Sequence, residues 1–167
     1  MVRPGIATYG ITPSEELSGR FDLRPLMSLR TTVSQIRAFR PDVGVSYGRS
    51  YTTPSERTIA VLSIGYADGL PRSLSNRISF LLHGKRVPVV GRICMDMCMV
   101  DVTEVPEAKV GDVVTVFGTD GDAAIPVDDL ARLTGTIPYE TLCSINKRTP
   151  RFYLDGEQRM EVLQYIV

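Results

Sequence analysis

From Leu26 onward, apolar or β-branched residues recur at every second position. Met27, Leu29, Thr31 and Val33 alternate with polar neighbours, the period of a strand buried on one face. The parity then changes. Ile36 and Ala38 fall on the other set, so a β-bulge is expected near Ser34-Gln35. Further strands are expected at 58–64, 77–83, 86–90, 97–102 and 113–117. Gly84-Lys85 separates the second and third of these and reads as a two-residue hairpin loop, with glycine supplying a positive φ. Gly118 and Asp120-Gly121 mark a wider turn. Helical signals are few. Residues 127–133 form the clear helix, with Pro126 ahead of it, Asp128 and Asp129 in its first turn and Gly135 ending it. Residues 138–144 are expected to form a second, shorter one. Upstream, Pro4-Gly5 and Gly10 bracket a short apolar piece expected to be a strand end entering a turn. Ser14, Glu15, Glu16 and Leu17 start a brief helix stopped at Gly19, and residues 20–25 read as a linker. Many short strands, glycine and proline turns and one or two short helices define a mainly β fold, a barrel or a sandwich.

Length changes this picture little. A chain of 167 residues is long enough for one compact domain, or one with a short appendage. It hides roughly two thirds of its unfolded surface, so a core forms without disulfide staples. Charge is more informative. The formal net charge is +0, which leaves no basic excess to displace counterions and argues against a nucleic-acid partner. Of the 19 basic residues only Lys85, Lys109 and Lys147 are lysines. Arginine suits fixed contacts to carboxylate or phosphate, although a GC-rich genome is the simpler source of the bias. Cys94, Cys98 and Cys143 lack metal-ligand spacing and His83 is the single histidine, so no metal site is expected and the cysteines read as reduced, buried thiols. No apolar run approaches ~20 residues and no charged-then-apolar leader opens the chain. A cytoplasmic protein without a membrane partner is the expectation.

Five clusters hold candidate chemistry. VRPGIATYG (2–10) sets an arginine beside a glycine turn whose backbone N–H groups suit a phosphate. VSYGRSYTT (45–53) carries two tyrosines around a glycine. IGYADG (64–69) ends a strand with a tyrosine and an acid between glycines. GRICMDMCMV (91–100) is dense in sulfur, and TIPYE (136–140) places a tyrosine after a proline. Singly, each is weak. A tyrosine beside a glycine is more simply a packing residue at a strand end, and Met97, Cys98 and Met99 are more simply the two faces of a core strand.

Together, in this order, they resemble the alanine racemase family, and the resemblance runs nearly the whole length of the chain. The nineteen-residue step from Tyr47 to Tyr66 and the GRICMD segment are its most specific parts, with TIPYE and KRTPR (147–151) in support. The resemblance implies a pyridoxal 5'-phosphate enzyme of fold type III, in which a TIM barrel of ~250 residues precedes a β-domain. Residues 1–22 are then expected to be a remnant of that barrel, its last strand and helix, and residues 23–167 the C-terminal β-domain. It further implies an isomerase that interconverts L-alanine and D-alanine for peptidoglycan precursor synthesis and cell-wall formation.

Residue by residue, Arg3 resembles the arginine that donates to the cofactor's pyridine nitrogen. A guanidinium has no acceptor lone pair, so the nitrogen stays unprotonated and the electron sink is weaker. Gly5 and Ile6 resemble backbone contributors to the phosphate site, and Tyr139 the tyrosine whose hydroxyl meets that phosphate. Tyr47 resembles the catalytic tyrosine serving one face of the substrate α-carbon. Racemisation by two bases needs one group on each face, and the family's other base, the lysine that holds the cofactor, has no counterpart among Lys85, Lys109 and Lys147. Phenols ionise near pH ~10, so such a base needs neighbouring cations, which the resemblance puts on the barrel. Met95 resembles the residue whose main-chain N–H binds the substrate carboxylate. Tyr66, Arg72, Arg92 and Ile137 resemble the entryway that admits only small amino acids. In the family's homodimer Tyr47, Tyr66 and Met95 serve the partner's site in trans. The chain alone is therefore expected to be inactive and not to bind the cofactor. Two other readings stay open: a stand-alone β-barrel binding or assembly module without catalysis, and a racemase for serine or another small amino acid. Arg3 speaks against the first, since a pure β-module has no use for a cofactor arginine.

Overall fold

A computed structural model describes residues 1–156 and 158–164. The strands are β1 (Leu29–Phe39), β2 (Gly44–Val45), β3 (Tyr51–Thr52), β4 (Arg57–Leu62), β5 (Ser79–Leu82), β6 (Lys85–Pro88), β7 (Cys98–Asp101), β8 (Val113–Asp120), β9 (Ala123–Ile125), β10 (Arg151–Asp155) and β11 (Gln158–Leu163). Two α-helices, α1 (Val127–Thr134) and α2 (Pro138–Cys143), lie between β9 and β10. Strand order in the main sheet is β6-β5-β8-β1-β4-β7, antiparallel throughout, with β9 added to β8. Just past β6 the chain bridges back to β7, pairing Val89 with Val100, and the Val90 N–H donates to the Met99 carbonyl at 2.9 Å. That bridge joins the two outermost strands and closes the sheet into a barrel, which removes the exposed edges an open sheet would present. Of the two expected architectures, barrel and sandwich, the barrel forms.

β1 is long because it serves two neighbours. Its first half pairs with β8 and its second with β4, and the register shifts between Val33 and Gln35 where the apolar parity changes. After the bulge Ile36 packs on the core, but Phe39, rather than Ala38, is the next half-buried residue, and Ala38 is exposed. Phe80, Leu81 and Leu82 of β5, Phe117 of β8 and Leu62 of β4 fill the interior with almost no exposure. β7 is buried on both faces. Cys98 and Val100 point into this core, whereas Met99 joins Val45, Ile59 and Val90 in a second cluster on the outer face, covered by the β2–β3 hairpin. Thr53, fully buried, fixes the base of that hairpin: its hydroxyl donates to the Arg40 carbonyl at 2.7 Å and accepts from the Val43 N–H at 2.9 Å.

Several expectations need correction. The segment at 2–10 is not a strand end but an irregular lead into a 3-10 turn, Gly5–Tyr9, with Gly5 at φ +58° and Ile6 buried in the core. The β5–β6 loop is His83-Gly84 rather than Gly84-Lys85, because Lys85 pairs with Leu82. Both loop residues take positive φ, as a type I′ turn requires. The turn after β8 is tight, with Asp120 paired to Ala123. The hairpins β2–β3 and β10–β11 were not anticipated. Both helices form as expected, α1 between Pro126 and a left-handed Gly135. Among the described residues no helix is long and apolar enough to cross a membrane, and no cluster of His, Cys, Asp or Glu is disposed to hold a metal ion.

All three cysteines are free thiols, but only Cys98 is buried; Cys94 is half-buried and Cys143 exposed. Burial, followed by the neighbouring Cys94, pushes the Cys98 thiol up to about 12. The thiolate is the reactive form. With a thiol reagent at mildly alkaline pH, Cys143 of the folded chain should be modified first, Cys94 more slowly and Cys98 only after denaturation. Rapid modification of three thiols in the folded state would contradict this packing.

Candidate functional site

Three of the sequence clusters converge on one loop, residues 91–96, between β6 and β7. Its carbonyls and amides are held from three sides. Tyr66 and Ala67, in a 3-10 turn spanning Tyr66–Asp68, donate their N–H groups to the Cys94 carbonyl at 3.0 Å and the Met95 carbonyl at 2.9 Å. The Gly91 N–H donates to Asn76 Oδ1 at 2.6 Å and the Ile93 N–H to Ser75 Oγ at 3.0 Å. Ser75 and Asn76 directly follow the turn Arg72–Leu74, so Arg72 is delivered to the same rim. From the hairpin, Ser46 Oγ donates to the Arg92 carbonyl at 2.7 Å and lies 3.6 Å from Cys94 Sγ.

Gly65 makes the closest of these approaches. Its φ is −149°, so no conformational freedom is needed; the requirement is space. A β-carbon there would lie 2.3 Å from both the Cys94 and the Met95 carbonyl oxygens. Only a residue without a side chain lets the two backbones exchange their hydrogen bonds.

Tyr47 opens a 3-10 turn within the connection between β2 and β3, where Ser46, Gly48 and Arg49 all adopt positive φ. Such a tight turn between two-residue strands throws the tyrosine outward, and Tyr47 is 75% exposed with no hydrogen bond of its own among the described residues. An open concavity of about 470 Å³ lies beside it, lined by Arg37, Phe39, Val61, Cys94 and Met97 among others. The Arg92 guanidinium lies over the backbone at Gly48, 3.2 Å from where a β-carbon would stand. Met95 is exposed, and its carbonyl is occupied by Ala67 while its own N–H has no partner among the described residues. Tyr66 and Arg92 are exposed on the same loops.

A second group forms around the N-terminal turn. Gly5 and Ile6 open it, so their N–H groups precede the first intrahelical bond and are unpaired among the described residues. The Tyr139 ring, on the first turn of α2, lies 3.9 Å from where a Gly5 β-carbon would stand. Ile137 precedes it and is 58% exposed. Arg3 is exposed and has no ion pair among the described residues. The contacts tie Tyr47, Tyr66, Arg72, Arg92 and Met95 to one loop and Gly5, Ile6 and Tyr139 to one turn.

Sequence reasoning passed over the charges behind the first group. Asp68 Oδ2 accepts from the Gly65 N–H at 2.8 Å, while Arg148 reaches Asp68 Oδ1 through Nε at 2.7 Å and Asp96 Oδ1 through a terminal nitrogen at 2.5 Å. These two carboxylates, with the hydrogen bonds they accept, raise the Arg148 guanidinium above its ordinary value. Both aspartates lie inside motifs quoted for their tyrosine and methionine, and Arg148 inside KRTPR.

The architecture is a closed β-barrel domain whose exposed loops carry backbone N–H groups without partners among the described residues. Residues 26–153 match the family described as "Alanine racemase, C-terminal domain", and the chain belongs to that family. It is 50% identical over 155 residues to the alanine racemase of Desulfovibrio desulfuricans, covering 93% of this chain and 41% of that protein. The Bacillus anthracis alanine racemase with bound L-Ala-P matches at a TM-score of 0.90 and 40% identity, over 96% of this chain and 42% of that one. The Bartonella henselae alanine racemase with covalently bound pyridoxal phosphate matches at 0.78 and 35% identity, over 85% and 38%. The chain thus spans about two fifths of the length of the relatives it matches.

Proposed function

We propose that this chain is the C-terminal part of an alanine racemase, with residues 1–22 a remnant of its barrel and residues 23–167 its β-domain. The observation that carries the reading is the Met95 N–H, without a partner among the described residues and fixed on a loop that also aligns Tyr66 and the Tyr47 hairpin. A rigid amide with no competing acceptor suits a carboxylate, the group every amino acid presents.

The donor set also suits pyridoxal 5'-phosphate. Two amides at a turn, without partners among the described residues and with the Tyr139 ring beside them, match a phosphate's acceptors, and Arg3 offers only donors to a pyridine nitrogen. When bound, the cofactor supplies an electron sink for the α-carbon. This chain's residues supply the rest. Tyr47 holds the proton for one face of that carbon. Met95 orients the carboxylate, so that face is presented in register. Tyr66, Arg72, Arg92 and Ile137 narrow the approach and exclude larger side chains. Tyr47, Tyr66, Met95 and Ile137 are exposed here, consistent with a partner's barrel covering them in a cytoplasmic homodimer.

The test has two arms. Joined to a racemase barrel, the chain should yield an enzyme that interconverts L- and D-alanine faster than L- and D-serine. The isolated chain, treated with pyridoxal phosphate and borohydride, should show no stoichiometric modification at Lys85, Lys109 or Lys147 and no activity. Equal or faster serine turnover would reassign the substrate, and one stoichiometrically modified lysine would show that a complete site resides in this chain.

A further inference from the structure

KRTPR is the one motif that the proposed mechanism leaves without a task. Its arginine, Arg148, is held in place before it reaches anything. The Asn146 side chain accepts the Arg148 N–H at 3.0 Å and its carbonyl accepts the Thr149 N–H at 3.1 Å, closing a local turn. The same Asn146 donates its own N–H to the Asp68 carbonyl at 3.0 Å. From this platform the guanidinium spans two carboxylates in different loops: Asp68 in the turn that carries Tyr66, and Asp96 next to Met95.

Isolated surface ion pairs contribute little, but this one differs in three ways. The Asp68 side chain is only 15% exposed and the Arg148 side chain 34%. Asp68 has no slack, because its second oxygen already accepts the Gly65 N–H. A planar guanidinium reaches both acceptors in fixed directions, which the single ammonium point of a lysine does not. The backbone adds a second tie between the same loops, Tyr66 to Cys94 and Ala67 to Met95. Two loops joined at two points are held more rigidly than two joined by the backbone pair alone.

We propose that Arg148 is a positioning residue that locks the Tyr66 turn to the Met95 loop and so keeps the Met95 amide aimed at the substrate carboxylate. The second half of this statement rests on the reading of Met95 given above; the first half does not.

The experiment uses the dimeric enzyme containing this chain and its barrel, loaded with cofactor, as wild type, Arg148→Met, Arg148→Lys and Asp96→Asn. Two readouts are taken: the split between KM and kcat for L- and D-alanine, and amide hydrogen exchange at Tyr66 and Ala67 against the strand amides of β4 and β7. Arg148→Met should raise KM for both enantiomers by ~10- to 100-fold with kcat changed far less, because the lost orientation affects a group bound equally in ground and transition states. Exchange at Tyr66 and Ala67 should accelerate while β4 and β7 are unmoved. Arg148→Lys, which keeps one contact at a time, and Asp96→Asn, which removes one exposed arm, should fall between. Unmoved exchange at Tyr66 and Ala67 in a folded Arg148→Met protein overturns the lock. Accelerated exchange with unmoved KM keeps the lock and overturns Met95 as the carboxylate donor. If Arg148→Met does not fold, Asp96→Asn with wild-type exchange and wild-type KM overturns the proposal by itself.

Discussion

Tyr47→Phe, made in the enzyme that joins this chain to its barrel, should remove one direction of proton abstraction and spare the other. Deuterium exchange at the α-carbon would be followed separately from L- and D-alanine. The enantiomer whose proton faces Tyr47 should exchange slower by ~10²- to 10⁴-fold, the usual contribution of a positioned acid or base, while exchange from the other continues. The asymmetry is the informative part, since damage to cofactor binding would slow both equally. The substitution is also clean structurally. Tyr47 is 75% exposed, packs into no core cluster and makes no hydrogen bond among the described residues. In the chain on its own, its loss should therefore move stability by less than about 0.5 kcal/mol, as for an ordinary surface change. Wild-type exchange from both enantiomers would make Tyr47 a rim residue, and the catalytic assignment would fall.

The parts of this fold that were legible from sequence are those encoded within a few residues. The bulge in β1 could be read because the apolar set changes parity at Ser34-Gln35, and a period-two pattern cannot do so without an extra residue. α1 was legible because Pro126, two aspartates and Gly135 sit at fixed offsets. Barrel closure was not legible. It depends on Val89 meeting Val100 across an intervening loop, and no local signal distinguishes it from a sandwich edge. The β2–β3 hairpin was missed for a different reason. Its strands are two residues each, too short for any period, and its turn is built from Ser46 and Arg49 at positive φ, where sequence expects glycine or asparagine. Strain of that kind collects at functional positions, so the segment hardest to read is the one that presents Tyr47. At 2–10 the Pro4-Gly5 turn signal is local and legible, but Ile6 enters the core through a 3-10 turn rather than a strand.

The candidate site divides along the same line. Tyr47, Tyr66 and Met95 were visible because each sits in a compact motif. Their common support was not, because its parts are distant: Arg148 lies 80 residues from Asp68 and 52 from Asp96, and Ser46 lies 46 from Arg92. A sequence displays which residues stand beside each other in the chain, and this loop is held almost wholly by residues that do not.

Gly65 is where that non-local support is least tolerant. Gly65→Ala should cost about 2–4 kcal/mol, measured as a shift of the urea unfolding midpoint at unchanged slope. The β-carbon would stand 2.3 Å from two backbone carbonyl oxygens, Cys94 and Met95, and backbone cannot rotate aside as a side-chain tip does. Overpacking of this kind costs ~1–3 kcal/mol. Parting the segments also weakens the Tyr66 and Ala67 hydrogen bonds, each worth a net ~0.5–1.5 kcal/mol. The barrel interior, formed by Phe80, Leu82 and Phe117 at some distance in sequence, loses nothing, so the variant should remain folded and cooperative. Function should suffer more than stability. A displacement near 1 Å at the Met95 amide is enough to cost ~100-fold in kcat/KM when the group it binds must be held in register. A Gly65→Ala protein with the wild-type urea midpoint would mean that the loop yields freely. The 91–96 segment would then be a flexible rim instead of the rigid support on which the reading of Met95 depends.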